Sequence, residues 1–479
     1  MALGLSKSHL CVTVWTVWLA LLGSALTFGS ASAADFGGDC CADLEERVAE
    51  LEATTVRKGN KKVSVTISGW VTKSVNWWDD GDIQSVVVGD KGEETQSHFS
   101  ITGSATIAPG WRGGYTIDLE VPGAAFGFFA NQFDETIPDL GGIRTHLSYM
   151  WLSSDKWGTL NWGYLHQATD NLTLLIDLSG TVIESNAVFM EGNGFFLRPT
   201  GAAGFGGLVP AQWASFSFCN MSSVGGGADC NAIPAGGVKY QSPTFGGFTV
   251  LGGYYTDEVN PRVKIADVAL KYDGDLGNFK VSAAAGYTHA KGEGVIQRDN
   301  DLYQAGASVL HMPTGLWFYG AWWQEQIGGI GNTPFGVSSN AQTGDVFFTK
   351  AGIKRNWNSL GGTVLWGEYG LYENQFSGLA NTNVCAVGGG FNGGGGPAVG
   401  AATGIAPVCA ANPTVFVTGS EITRFGLGAM QEIDSAAMHL YLRWLHNEID
   451  VDLVNGLGAR VNQGFEDWNL IQAGGIIFF

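Results

Sequence analysis

Apolar and polar residues alternate with a period of two over most of this chain. Residues 63, 65, 67, 69 and 71 are Val or Ile with one Gly, and the residues between them are Ser, Thr and Trp. The same alternation recurs at residues 99–107 and 115–120. Such a pattern predicts β-strands that have one apolar face and one polar face.

Continued along the chain, the pattern predicts sixteen strands separated by connections of two kinds. The strands lie near residues 63–78, 97–108, 112–121, 144–154, 158–167, 235–242, 247–256, 264–272, 277–288, 301–312, 315–325, 344–355, 360–373, 421–432, 435–447 and 467–479. Seven connections are predicted to be tight turns, at residues 109–110, 155–157, 243–246, 273–276, 313–314, 356–359 and 433–434. The other eight are mostly longer and polar or Gly-rich. Short turns at one rim and long loops at the other are typical of bacterial outer-membrane barrels.

The final stretch of the chain predicts the strand that closes this barrel. Every second residue from Ile471 to Phe479 is apolar or small, although Leu470 and Ile476 on the other face make the alternation imperfect. About ten residues of tilted strand cross a bilayer, and both edges of a strand in lipid must be paired. Taken alone, the stretch fits a buried last strand of a soluble sandwich equally well. Together with the other strands it predicts an all-β fold, a 16-stranded antiparallel transmembrane β-barrel.

Composition agrees with a protein that crosses a membrane by strands. Charged residues make up 14% of the chain, below the roughly 25% of ordinary globular proteins. Aromatic residues make up 12%, and no apolar run beyond the N-terminus approaches the ~18 residues of a membrane helix. The formal net charge of −19 argues against nucleic acid as a partner. A Gly-rich secreted protein, such as an adhesin, is the alternative that this composition leaves open.

The N-terminus predicts export of the protein. Lys7 precedes an apolar run at residues 10–22, and the Ala-Ser-Ala sequence at residues 31–33 is a good cleavage site. These features predict a signal peptide over residues 1–34 rather than a retained membrane anchor.

Residues 35–60 predict a short periplasmic coiled-coil segment before the barrel of residues 61–479. Leu44, Val48 and Leu51 are spaced four and three residues apart, as in the apolar seam of a coiled coil. Two heptads are not stable alone, so the segment needs several barrels that are already held together, with a trimer as the natural host. An amphipathic helix packed on its own domain is the alternative.

Six cysteines follow the signal peptide, and they predict disulfides rather than a metal site. An even number of cysteines in an exported protein favours this interpretation. Two candidate pairs each lie within one Gly-rich loop: Cys219 with Cys230, and Cys385 with Cys409. The adjacent residues Cys40 and Cys41 have no assigned role, and a bridge between subunits is one option.

Several of these segments resemble alphaproteobacterial porins. The sequence Gly-Asp-Cys-Cys-Ala-Asp-Leu-Glu-Glu-Arg-Val-Ala-Glu-Leu-Glu-Ala-Thr-Thr at residues 38–55 resembles the start of the mature chain in that family. Residues 63–69, the Trp-Trp-Asp-Asp-Gly sequence at residues 77–81 and the terminal Phe479 do so as well. The resemblance covers effectively the whole mature chain.

This resemblance implies a homotrimer in the outer membrane of a Gram-negative cell, surrounded by outer-membrane lipid and lipopolysaccharide. Each sixteen-stranded barrel would be a passive pore for small hydrophilic solutes and ions, with no cofactor and no metal. A channel selective for sugars or small acids is the alternative function. The Gly-rich stretch at residues 388–404 matches no functional pattern and leaves solute preference open.

In porins the third long loop folds into the channel, and here the third long connection lies near residues 168–234. Its acidic residues are Asp170, Asp177, Glu184 and Glu191. Strand parity turns six bases toward the same interior: Arg112, Arg144, Lys350, Lys354, Arg424 and Arg443. Acids on a loop that face bases on the wall would set a transverse field across a narrow aqueous passage. Parity for Arg424 requires a one-residue irregularity before Phe425, with Ile422 facing outward.

Two further predictions concern the aromatic residues and catalysis. Six tryptophans near strand ends are expected in an interfacial girdle: Trp77, Trp78, Trp322, Trp323, Trp366 and Trp444. The chain contains no His-Glu-x-x-His, phosphate-loop or Gly-x-Ser-x-Gly motif. A barrel lipase would need a Ser/His pair on the lipid face, and parity supplies no convincing one. The sequence therefore predicts a protein that is not an enzyme.

Overall fold

A computed structural model of the chain describes most of the predicted barrel. The described residues are 62–91, 96–121, 130–132, 143–186, 191–192, 194–204, 207–209, 211–217, 234–256, 263–292, 299–328, 342–375, 411 and 414–479. The predicted signal peptide, coiled-coil segment and all cysteines lie outside these residues. Among the described residues, no helix is long and apolar enough to cross a membrane. One short helix, α1, occupies Ala214–Ser217.

The described residues form a closed sixteen-stranded antiparallel barrel, as the alternating pattern predicts. It is built from eighteen strand segments, which we number in chain order. These are β1 Ser64–Asp79, β2 Gln84–Gly89, β3 His98–Ala108, β4 Trp111–Glu120, β5 Arg144–Ser154, β6 Gly158–Leu165, β7 Ala235–Gln241, β8 Phe248–Thr256, β9 Val263–Leu276, β10 Phe279–Gly292, β11 Asp299–His311, β12 Leu316–Gly328, β13 Gln342–Asn358, β14 Gly361–Glu373, β15 Val415–Ile433, β16 Met438–Asn455, β17 Arg460–Val461 and β18 Trp468–Phe478.

Two wall strands are interrupted, which explains why eighteen segments make sixteen strands. β2 pairs with the second half of β1, and β3 pairs with its first half, so the two segments occupy one position in the wall. In the same way, β17 and β18 both pair with β16. The sequence pattern missed β2 and β17 because each is short and belongs to a strand that was already counted.

The last strand closes the barrel against the first. β1 pairs with β18 from Trp70↔Phe478 to Asp79↔Asn469. The ladder extends to the final residue, because Gly69 N donates to Phe479 O at 2.9 Å and Phe479 N donates to Gly69 O at 3.0 Å. Both exposed edges are thereby paired, which a strand in lipid requires.

Two of the seven predicted tight turns were placed too early. β9 continues through residues 273–276, and Leu276 pairs with Phe279 across a turn at residues 277–278. Gly277 has a φ of 64° there, a conformation that Gly adopts without strain. β13 likewise continues to Asn358, and the turn lies at residues 359–360. The Asp-Gly pair at residues 273–274 resembles a turn, but Asp273 lies within the ladder and accepts a hydrogen bond from Ser282 Oγ at 2.6 Å.

Strand β16 shows how the two faces of the wall differ. Its buried inward-facing residues include Tyr441, Arg443 and Leu445. The outward-facing side chains between them form an apolar belt at the end of the strand near the short turn: Met438, Leu440, Leu442 and Trp444. Farther along the same face the residues are polar and acidic: His446, Glu448, Asp450 and Asp452. The outer face of β16 is therefore apolar near the short turn and charged toward the other end of the strand.

Parity corrects two sequence predictions. Trp78, Trp323 and Trp366 are buried, so they do not belong to an outward-facing girdle. Neighbouring residues on a strand point to opposite faces, so the Trp-Trp pairs could never both face outward. Ile422 also faces inward and is fully buried. The irregularity in β15 lies between Val417 and Gly419, and no irregularity before Phe425 is needed to turn Arg424 inward.

Candidate functional site

The connection after β6 runs along the inner wall of the barrel. It begins on β9, where Thr169 N donates to Asp267 Oδ2 at 2.9 Å. It continues on β11 and β12, where Leu178 N donates to Ser308 Oγ at 3.1 Å and Tyr319 OH donates to Thr173 O at 2.8 Å. Backbone groups of the loop thus bond to the wall, which satisfies them without secondary structure. We call residues 167–186 the inner loop.

Small wall residues give the inner loop room to pack closely. A Cβ at Gly286 on β10 would lie 2.5 Å from Leu172 Cδ2, and one at Gly306 on β11 would lie 3.0 Å from Ile176 Cδ1. Leu172 and Ile176 are almost fully buried as a result. The loop is therefore held by apolar packing as well as by hydrogen bonds.

Lys350 on β13 holds the middle of the inner loop. Its Nζ lies 2.6 Å from Asp177 Oδ2, and both side chains are buried. The same ammonium donates to Thr181 Oγ1 at 2.8 Å and to Ser185 O at 2.7 Å. One buried charge thus has one ionic partner and three further acceptors, the third being Thr181 O at 3.4 Å, which is the condition for its burial to be tolerated.

Two more predicted acids meet the wall at β16. Glu184 Oε1 lies 2.8 Å from His439 Nδ1. Arg443 donates to Glu184 O at 2.5 Å and forms an ion pair with Glu191. Lys91, between β2 and β3, lies 3.5 Å from Glu191 and also donates to the inner loop at Ile183 O.

Charges around Glu191 decide the protonation of this cluster. Burial raises the pKa of Glu191, but Arg443, Lys91 and Arg424 outweigh burial and leave the pKa below its usual value. Burial lowers the pKa of Lys91 to about 8, with Glu191 opposing that shift. Both residues lie outside the strands. A carboxylate between several cations stays ionised, whereas a buried ammonium loses its proton more readily.

Arg424 on β15 is paired within the wall rather than with the loop. Its Nη2 lies 2.7 Å from Glu368 Oε1 on β14, and both side chains are buried. Glu368 Oε2 accepts from Trp366 Nε1 at 3.0 Å and from the Ser185 hydroxyl of the inner loop. Arg424 is therefore linked to the inner loop through Glu368.

The chain beyond the inner loop is fixed to the end of β1. Arg198 is buried, and its Nε and Nη2 lie 3.1 and 2.8 Å from the two carboxylate oxygens of Asp80. Gln132 Nε2 also donates to Asp80 Oδ2, at 3.0 Å. A bidentate pair of this kind fixes orientation as well as distance.

The inner faces of β4 and β5 carry a second polar group. His146 Nδ1 lies 3.0 Å from Asp118 Oδ1, and the His146 ring centroid lies 4.9 Å from that of His166. Arg144 Nε lies 2.5 Å from Glu120 Oε2. The side chains of Arg144, His146 and His166 are 42%, 22% and 30% exposed. Those of Lys350, Arg424 and Arg443 are at most 1% exposed.

Comparison with known proteins assigns this closed barrel to a family. A family model described as Gram-negative porin matches residues 20–404. The chain belongs to the Gram-negative porin family. It is an outer-membrane porin that forms a channel, and the sequence prediction of that class is confirmed. No curated protein sequence matches the chain.

Solved porin-like structures share the fold. The anion-selective porin from Comamonas acidovorans is 16% identical, with a TM-score of 0.50, over 87% of this chain and 100% of that chain. The trimer form of OmpT, an outer membrane protein of Vibrio cholerae, is 12% identical, with a TM-score of 0.50, over 88% of this chain and 100% of that one. At these identities the likeness concerns the fold alone.

The porin interior does not bring all predicted site residues together. Arg112 lies near the 109–110 turn and donates to Ser104 Oγ at 3.0 Å. Lys354 pairs with Glu432 at 2.5 Å, and Asp170 Oδ2 contacts His166 Nδ1. Asp177 and Glu191 contact the wall cations Lys350 and Arg443 directly. The Glu184 carboxylate contacts His439, and its backbone oxygen accepts from Arg443. The disulfide candidates Cys219, Cys230, Cys385 and Cys409 lie outside the described residues.

Sequence reasoning missed Lys91 and Glu368. Leu365, Gly367 and Tyr369 face outward on β14, so Glu368 faces inward. The same strand parity that turns Arg424 inward therefore also predicts an inward-facing Glu368. Lys91 had no such signal. It lies in an interruption of the wall that no periodicity marks.

Proposed function

We propose that this porin is a general diffusion pore whose aqueous passage runs between the inner loop and the wall of β3–β6. The observation that supports this is the contrast in exposure. Lys350, Arg424 and Arg443 on β13–β16 are buried behind the inner loop, whereas Arg144, His146 and His166 are partly exposed. Water reaches one side of the loop and is excluded from the other.

The charges on the exposed side would act on permeating solutes. Asp118 and Glu120 face His146 and Arg144 at hydrogen-bond distance, so acids and bases alternate along this wall. Rings of such charges orient dipolar solutes and select ions without tight binding. The predicted transverse field thus involves these residues, while Asp177, Glu184 and Glu191 serve to hold the loop in place.

We infer a preference for cations from the charge of the protein. The chain carries a formal net charge of −19, which raises the concentration of cations at the channel mouths. The Comamonas relative is described as anion-selective. A channel for one sugar or small acid is the alternative function, and it would show saturable block of conductance by that solute.

The test is single-channel recording in planar bilayers across a potassium chloride gradient. We expect open channels with a reversal potential that indicates cation preference. The double variant Asp118→Asn with Glu120→Gln is expected to lower that preference, because it removes two acids from the proposed passage. The matched control Asp450→Asn removes an acid from the outer wall and should leave selectivity unchanged.

Two results would contradict the proposal. Protein that is folded but electrically silent would exclude a diffusion pore. Equal effects of the lumen variant and the Asp450 control would mean that the passage does not follow β3–β6.

The assembly is proposed to be a trimer with a periplasmic coiled coil. The apolar seam at residues 44–55 supports several chains meeting at their N-termini, and one fold relative is recorded in a trimer form. Export by a signal peptide over residues 1–34 and a lack of catalysis belong to the same proposal. Channel closure in three equal steps during the recordings would support three pores per particle.

A further inference from the structure

A histidine and two carboxylates converge on the outer wall, away from the channel. His446 and Glu448 are outward-facing residues of β16, and Asp467 directly precedes β18. Their ligand atoms all lie within 4.8 Å of one another. His446 Nε2 lies 3.2 Å from Glu448 Oε1 and 3.7 Å from Asp467 Oδ2. One ion between these atoms could contact all three.

The other nitrogen of His446 is held by an acceptor. Nδ1 lies 2.8 Å from Asn469 Oδ1 on β18. A carbonyl oxygen only accepts, so Nδ1 is the donor in this contact, and the Nε2 side of the ring faces the two carboxylates. Histidines that bind metals commonly donate their other N–H to such a partner, which fixes the tautomer and the ring orientation.

His289 on β10 provides an internal comparison. It also lies on the outer wall beside two acids, but the acids contact different nitrogens. Nδ1 lies 3.0 Å from Asp301 Oδ1, and Nε2 lies 3.7 Å from Asp299 Oδ1. In that arrangement each carboxylate has its own ring nitrogen as a partner. At His446 both carboxylates lie on one nitrogen, where a single N–H cannot point at both and a metal ion can bind both.

The surroundings of His446 favour a cation. Glu421 pairs directly with Glu373 on one side and with Asp450 on the other, which places three acids in one outward-facing row. Like charges opposite each other on a sheet are destabilising. A bound divalent ion would relieve this repulsion.

We propose that His446, Glu448 and Asp467 bind one divalent transition-metal ion, with Asn469 as the positioning residue. Imidazole nitrogen with carboxylate oxygens suits ions such as Zn²⁺ better than Mg²⁺ or Ca²⁺, which prefer oxygen ligands alone. Three protein ligands leave coordination positions open toward the exterior.

Equilibrium dialysis of the detergent-solubilised full chain against Zn²⁺ tests the site. Wild type should bind one more Zn²⁺ per chain than His446→Gln. The matched control His289→Gln should bind as many ions as wild type. With Co²⁺ as a spectroscopic probe, the visible absorption of the bound ion should be lost in His446→Gln and kept in His289→Gln.

The second readout is affinity. Asn469→Leu should bind Zn²⁺ roughly 10- to 100-fold more weakly while keeping the stoichiometry, because it removes only the outer partner of the ligand. Single-channel conductance should be unchanged in all of these variants, which shows that each is folded. Equal Zn²⁺ binding by wild type and His446→Gln would overturn the proposal, as would displacement of Zn²⁺ by equimolar Mg²⁺.

Discussion

The buried charges of Lys350 and Arg424 are tolerated because each has an ionic partner within hydrogen-bond distance. Lys350 with Asp177 and Arg424 with Glu368 are almost completely removed from solvent. Removing two charges from water costs more than most single interactions recover, so such pairs persist only where further hydrogen bonds are made. Deleting one partner leaves the other buried and unpaired. Individual residues of this interior should therefore respond strongly to charge-removing substitutions.

Lys91 should make the stability of the folded porin depend on alkaline pH. Burial lowers its pKa from 10.5 to about 8, so above about pH 8 the unfolded chain binds more protons than the folded one. The cost of burying the ammonium is present in full at lower pH and disappears as the pH rises to 10.5. We expect the free energy of unfolding to rise by on the order of 3 kcal/mol across this window.

Equilibrium urea unfolding in lipid vesicles over that pH range measures the effect. Lys91→Met should abolish the rise, because no proton is then released at this position. The lowered pKa would be contradicted if the free energy of unfolding of the wild type fell over this pH range while that of Lys91→Met stayed constant.

At the scale of elements, the inner loop behaves as a part of the wall. Its backbone bonds to β9, β11 and β12, and its side chains pair with β13 and β16. Gly286 and Gly306 make room for its apolar residues. A segment with little secondary structure of its own is therefore ordered by contacts with many strands. Its position sets which side of the barrel stays open.

Lys350→Met should loosen the inner loop more than any change at a partly exposed base. It leaves Asp177 buried without its cation, which costs about 3–5 kcal/mol. We expect a lower free energy of unfolding and a larger, noisier single-channel conductance as the loop detaches from β13.

Lys354→Met is the matched control on the same strand. Its partner Glu432 is partly exposed and Lys354 itself is 32% exposed, so the loss should stay below about 1 kcal/mol. Similar losses in the two variants would refute the assignment of Lys350 as the anchor of the loop.

At the scale of the whole molecule, the outer face of the barrel has an apolar belt toward lipid and a charged zone between this belt and the long loops. Leu365 on β14 pairs with Ala429 on β15, and Ala429 pairs with Leu442 on β16. These residues lie within the belt, on the side of the short turns. The charged zone lies nearer the long loops and contains Glu373, Glu421 and Asp450. The apolar belt on the outer face therefore indicates where the membrane surrounds the barrel.

Leu365→Arg should destabilise the barrel by about 2–4 kcal/mol, because it places a charge on the apolar belt that faces lipid. Asp450→Arg, above the belt, should cost at most about 1 kcal/mol. Urea unfolding in vesicles compares the two variants. Equal costs would show that the belt has been assigned to the wrong height on the wall.

The sequence by itself determined the strands, their faces and the closure of the barrel, because a period of two is a local property that each strand carries independently. It also turned Lys350, Arg424 and Arg443 inward. Only the tertiary structure decided which acid meets which base. Those contacts join residues as far apart as Glu184 and His439, and they depend on the path of a loop that has no periodicity. Burial behind that loop is a collective result of the whole fold, and it separates the charges that hold the loop from those that face water.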